Sequence, residues 1–163
     1  ALLGCARLYD AAAPGTLRRL TVDWKLPMPS PTLLALTGLV AWTLALLILM
    51  ELLRTRLVLR GDVKANAFTP DNASLSPFMQ RLARPQANCL EGLPVFGGLM
   101  LIALAAGRTD VTDGLAWVMF GARIVQSTIH LASLSELAVK ARFTAFAVQM
   151  CIGAWWSWAL LQA

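Results

Sequence analysis

Charge is scarce in this 163-residue chain. Only 14% of residues are charged and 58% are hydrophobic, against about 25% and about 45 to 50% in ordinary soluble domains. That balance excludes a water-soluble domain and indicates a membrane protein. There is a single histidine, too few for a histidine-built metal centre, so no metal is expected. The three cysteines, Cys5, Cys89 and Cys151, have neither metal-ligand spacing nor the even count of a disulfide framework; Cys89 and Cys151 read as small apolar residues within helices. No internal repeat is present, which removes the inverted-repeat architecture of many transporters. The net charge of +5 comes without a zinc, aromatic-stacking or basic-helix motif, so it speaks for headgroup contact and orientation rather than nucleic acid. Residues 1–27 contain no sustained apolar run, and Met28 is the first methionine. They read as an N-terminal extension outside the bundle, with the natural start near Met28.

What remains, residues 28–163, divides into four apolar stretches expected to span the membrane at about 31–53, 86–107, 113–134 and 141–162. The first runs without a charge until Glu51, enough at ~1.5 Å per residue to cross a hydrocarbon core of ~30 Å. In the second, Pro85 suits a first helical turn, whereas Pro94 should kink or locally open the helix. Thr112 or Asp113 is a plausible N-cap for the third. Trp155, Trp156 and Trp158 in the fourth suggest an aromatic anchor near one interface. Four helices with mostly short links imply an all-α, antiparallel, polytopic membrane bundle. Arg54, Arg56, Arg60, Lys64, Arg81, Arg84, Lys140 and Arg142 fall at one end of it. Arg108 lies at the other, joined by Arg7, Arg18, Arg19 and Lys25 if the leading segment counts. The basic loops are therefore expected in the cytoplasm and both termini opposite.

Two polar stripes interrupt this apolar pattern. Arg84, Asn88 and Glu91 share one face of the second helix, and Arg123, Gln126, Ser127 and His130 share one face of the third. Because these helices run antiparallel, Glu91 and Arg123 reach similar depth, where an ion pair would keep both charges in low dielectric. The stripes offer more donors and acceptors than they can use between themselves, which suits a cytoplasm-facing cavity for a small, multiply charged ligand.

The run from Arg84 through Asn88 and Glu91 to Pro94 and Phe96, followed by Gly121, Arg123 and a polar stripe, resembles the MAPEG family, the membrane-associated proteins in eicosanoid and glutathione metabolism. The resemblance covers roughly Met28 to Leu161. It implies a homotrimer of four-helix bundles that binds glutathione as co-substrate between subunits and acts on a hydrophobic electrophile drawn from the lipid bilayer, as a transferase or peroxidase. Carried over by position, Arg84, Asn88, Glu91 and Arg123 would hold glutathione or order its pocket. Gln126 and His130 would line it, Lys64 would add a contact from the basic loop, and Arg142 would stabilise the thiolate. The chain departs from the family pattern at Gln86 and Ala87, where histidine and arginine are common, at Gln126, where a histidine often stands, and at His130, which replaces a tyrosine. Two other readings fit the same residues: a non-catalytic MAPEG-like protein whose polar groups serve assembly, and a small proton-coupled transporter titrating Glu91.

Overall fold

The computed structural model describes residues 29–162; the expectation for residues 1–27 lies outside them. Helix α1 spans Pro31–Leu59. Pro31 opens it where no amide donor is needed, and the Ser30 hydroxyl accepts the Leu33 N–H at 3.2 Å. It outruns the expected end near residue 53 by more than a turn, because the basic residues after Glu51 continue the helix out of the apolar zone.

The second membrane segment begins earlier than its composition suggests. Ser76 caps α2, Pro77–Gly92, and accepts the Met79 N–H at 3.4 Å. Pro85, expected in the first turn, is buried inside this helix. The serine and proline at 76 and 77 start the helix, and Met79, Leu82 and Ala83 hold its first half by packing with Leu46 and Met50 of α1. One π-helical turn, Leu93–Gly97, then joins α2 to α3, Gly98–Ala105. The wider turn falls at Pro94, which has no N–H to return to the preceding turn; the local opening expected there is thus a π turn.

Helices α4, Thr109–Ala132, and α5, Glu136–Leu161, complete an antiparallel four-helix bundle in which α2 and α3 form one interrupted helix. Both begin before the expected 113 and 141. Ser135 caps α5 by accepting the Ala138 N–H at 3.2 Å. Asp113 does not cap its own helix. Its carboxylate instead accepts from Thr32 N–H at 3.0 Å and from the Thr32 hydroxyl at 2.6 Å, fastening the start of α1 to the first turns of α4. An acidic group suits the positive end of the α1 dipole.

Pro31–Leu59, Pro77–Ala105 and Glu136–Leu161 are long and apolar enough to cross a membrane, which identifies an integral membrane protein. At 24 residues α4 has the length but carries the polar stripe, and it packs between the other three helices. Apolar side chains gather at two levels. Ala35, Leu39, Phe96, Met100, Met119 and Trp156 fill one, and Leu46, Met50, Met79, Leu82 and Cys89 the other. The expected aromatic anchor is divided accordingly: Trp155 and Trp158 are more than half exposed, whereas Trp156 is fully buried.

The loop from α1 to α2 is fixed from below. Arg54 donates from Nη2 to Asn72 Oδ1 at 2.8 Å and to the Thr69 carbonyl at 3.1 Å, with its guanidinium 5.4 Å from the centre of the Phe68 ring. Asn72, fully buried, donates from Nδ2 to the Met79 carbonyl at 3.0 Å. Its φ of 54° is a conformation that asparagine tolerates better than most residues. Asn72→Ala should therefore lose about 2 kcal/mol from lost bonds and backbone strain together. Asn72→Gly, which keeps the backbone conformation and loses only the bonds, should fall between it and the parent in thermal unfolding in detergent.

Candidate functional site

The polar stripe of α4 lies between the two apolar levels, and Arg123 is its anchor. The side chain is only 4% exposed. Its Nη1 donates to the Asn88 carbonyl of α2 at 3.0 Å and to Gln126 Oε1 at 3.3 Å. Gln126 Oε1 also accepts from Gln149 Nε2 of α5 at 3.0 Å, so this oxygen ties α4 to α5 while Arg123 ties α4 to α2. Phe96 lies under the guanidinium at 5.6 Å, an arrangement that favours a desolvated cation. Two glycines make the room. A methyl group at Gly92 would run into the Arg123 guanidinium, and one at Gly153 would come within 3.0 Å of Phe96 Cε1.

Glu91 takes no part in this arrangement. It is exposed on the outer face of α2, and among the described residues Arg123 is held by neutral acceptors and an aromatic face. The expected ion pair with Glu91 is absent among the described residues because the two stripes point differently. Arg123, Gln126 and Ser127 point into the bundle, whereas Arg84 and Glu91 are exposed and Asn88 is half-buried at the boundary. The single cavity expected from the two stripes accordingly does not form among the described residues of the chain. Only about 10 Å³ is open beside Arg123, too little for a ligand.

His130 connects inside to outside. Arg142 Nη1 of α5 donates to His130 Nδ1 at 3.2 Å, and Asn88 Nδ2 lies 3.1 Å from Nε2. A guanidinium only donates, so Nδ1 must be the bare acceptor and the ring proton sits on Nε2; for the Asn88 contact to be a hydrogen bond as well, its amide is turned so that the oxygen faces Nε2. Both ring nitrogens are thereby engaged. His130 is 8% exposed, and its place in the chain Asn88, His130, Arg142 is that of a spacer orienting both neighbours. Arg142 is half-buried and keeps further donors beyond the one used.

Next to this chain, at the end of the bundle where α2 begins and α4 ends, lies a cavity of about 440 Å³ lined by Asp71, Gln80, Arg81, Arg84, Ala87 and Leu134, among others. Arg81 donates from Nε to the Leu131 carbonyl at 3.0 Å, satisfying the last turn of α4. Asp71 accepts the Thr69 hydroxyl at 2.7 Å and the Ala73 N–H at 3.2 Å, which hold its carboxyl below the usual range. The cavity thus offers an ionised carboxylate opposite guanidinium groups, a lining suited to a ligand with charges of both signs. Lys64 is exposed on the linking loop and does not line this cavity.

The MAPEG family model matches residues 32–162, nearly all of the described chain. The chain belongs to the MAPEG family. No curated protein and no solved structure matches it. Within this MAPEG protein, the structure brings Asn88, His130 and Arg142 together and groups Arg123 with Gln126, while Glu91, Arg84 and Lys64 remain outside both sets. Sequence reasoning missed Gln149, Asp71 and Asn72. A glutamine in the middle of the apolar run of α5 was the available signal for the first; the other two acquire their roles only through the loop's fold.

Gly92→Ala should destabilise the protein by about 1 to 3 kcal/mol, as overpacking typically does. On an Arg123→Met background most of that penalty should vanish, because the obstructing guanidinium is gone. Thermal unfolding of the four proteins of this cycle in detergent measures the coupling.

Proposed function

We propose that the protein is a glutathione-dependent transferase or peroxidase that acts on hydrophobic electrophiles as a homotrimer. The observation that carries this reading is the outward strip Arg84, Asn88 and Glu91, joined through His130 to Arg142. Glu91 lies about 20 Å along α2 from Pro77 at ~1.5 Å per residue, deep enough to require a polar neighbour rather than lipid. A second copy supplying that neighbour, with glutathione in the seam, covers the strip and uses its groups. Arg84 suits a carboxylate of the tripeptide, and Glu91 suits its ammonium group. The cavity beside Arg84, with Asp71 on its rim, opens toward the basic loops, which we assign to the cytoplasm where glutathione is dissolved.

In this reading Arg142 acts on the sulfur. A thiol with a pKa of about 8.5 is mostly protonated at neutral pH, and an adjacent guanidinium stabilises the thiolate, the nucleophilic form. His130 draws one Nη1 hydrogen of Arg142 toward α4, leaving the other donors for the sulfur. The thiolate then attacks an electrophile that has entered from the bilayer through the gap between subunits. As the bond to sulfur forms, the bond from the attacked atom to its leaving group breaks, and the leaving group departs with that electron pair and takes up a proton. Arg123, Gln126 and Gln149 do not touch the ligand; they hold the α2 backbone at Asn88. Gln86 and Ala87 add no cation beside Asn88, so Arg84 would carry the ligand's negative charge on this helix with less help.

Arg142→Ala should lower turnover on the order of a hundredfold, comparable to loss of a preorganised donor at a developing anion, and largely spare glutathione binding. Titration calorimetry and thiolate absorbance on the detergent-purified trimer separate the two effects. Undiminished turnover would sink the role of Arg142. Absence of any saturable glutathione heat in the parent protein would leave a non-catalytic family member, whose polar strip serves assembly.

A further inference from the structure

A second groove lies on another side of the α1–α2 pair and takes no part in the proposed reaction. It has a volume of about 440 Å³ and runs between the last turns of α1 and the first turn of α2. On α1, Leu53, Arg56, Leu57 and Arg60 line it at spacings that form one continuous stripe. Phe78, 41% exposed, faces them from α2. The order along the helix axis matters. Leu53 lies nearest the membrane interior, Arg56 and Leu57 follow about one turn further out, and Arg60 lies at the helix end, so the groove grows more basic in the direction in which a lipid passes from acyl chain to headgroup.

The arginines of this stripe differ from their neighbour. Arg54, on the same stretch of α1, is held by Asn72 and Thr69 and stacks on Phe68. Arg56 and Arg60 are exposed, and among the described residues their guanidinium groups make no hydrogen bond or ion pair. No carboxylate lines the groove; its remaining polar groups include Ser74 and Ser76. An uncompensated pair of guanidinium groups above an apolar slot, at the bilayer surface, matches an anion carried on a hydrocarbon chain.

We infer that this groove is a binding site for an anionic phospholipid, whose phosphate is held by Arg56 and Arg60 and whose acyl chain lies along Leu53, Leu57 and Phe78. The site is independent of the glutathione reading and would persist in a catalytically inactive protein. Its occupant is a bilayer component rather than a dissolved anion, because the apolar half of the groove has no use in binding phosphate alone.

The test compares the parent protein with Arg56→Gln/Arg60→Gln, changes at exposed positions that leave the packed faces intact. Each is reconstituted in nanodiscs of phosphatidylcholine containing a minor fraction of phosphatidylglycerol. Lipids retained after release are then counted by native mass spectrometry. The parent should retain phosphatidylglycerol in preference to phosphatidylcholine, with the preference falling roughly fivefold for each arginine removed, as expected for single basic residues at an anionic surface. Intact mass and helical content of the double variant confirm that it is folded. Equal retention of the two lipids by the parent, or an unchanged preference in the double variant, overturns the proposal. So does protection of the parent from heat by inorganic phosphate to the same extent as by phosphatidylglycerol, which would assign the arginines to a soluble anion.

Discussion

Arg123 carries a guanidinium into the interior of a membrane bundle, and much of the architecture follows from the need to satisfy it. A buried ion pair is one solution, but its desolvation cost often equals its attraction. Here the charge is spread over a backbone carbonyl, a glutamine oxygen and an aromatic face. The carbonyl belongs to α2 and the glutamine to α4, and Gln149 of α5 donates to the same glutamine oxygen, so satisfying one charge helps fix the relative positions of α2, α4 and α5. Gly92 and Gly153 are the steric counterpart, since the guanidinium and the Phe96 ring occupy the space that their side chains would need. The π turn at Leu93–Gly97 lies beside this layer and places Phe96 beneath the guanidinium.

Solving the charge problem inside leaves a different problem outside. Arg123 does not need Glu91, so Glu91 remains on the outer face together with Arg84. Acidic groups on the outside of a membrane helix are costly unless they meet protein, water or a ligand. The inner layer and the outer strip therefore have separate work: the first sets the position of the Asn88 backbone, and the second exposes groups that call for a neighbour. Asn88 belongs to both, because its carbonyl receives Arg123 while its side chain meets His130.

The sequence carried the bundle clearly, because four long apolar runs leave few alternatives. Helix starts were less legible. Pro85 resembled a helix opener by composition, yet Ser76 and Pro77 supply the start and the packing of Met79 and Leu82 carries the helix through the proline. Asp113 had the chemistry of an N-cap and serves a neighbouring helix instead, a partnership that depends on α1 and α4 starting side by side. Periodicity showed that Arg84, Asn88 and Glu91 share a face and that Arg123, Gln126 and His130 share another. It could not show how far each face is rotated toward the bundle axis, and that rotation separates a shared pocket from an inner layer and an outer strip.

The histidine at position 130 links two helices in a way that its ring chemistry explains. A tyrosine there would offer one hydroxyl at the end of a ring, whereas imidazole offers two nitrogens on opposite edges. That geometry lets one side chain contact α2 and α5 together, with Asn88 on one edge and Arg142 on the other. Because Arg142 only donates, its bond demands a bare Nδ1, and an imidazolium could not accept it. The orientation of Arg142 is consequently tied to a neutral His130, and the orientation of the Asn88 amide to the proton on Nε2. A substitution at position 130 would then act on the arginine and on the outer strip at once.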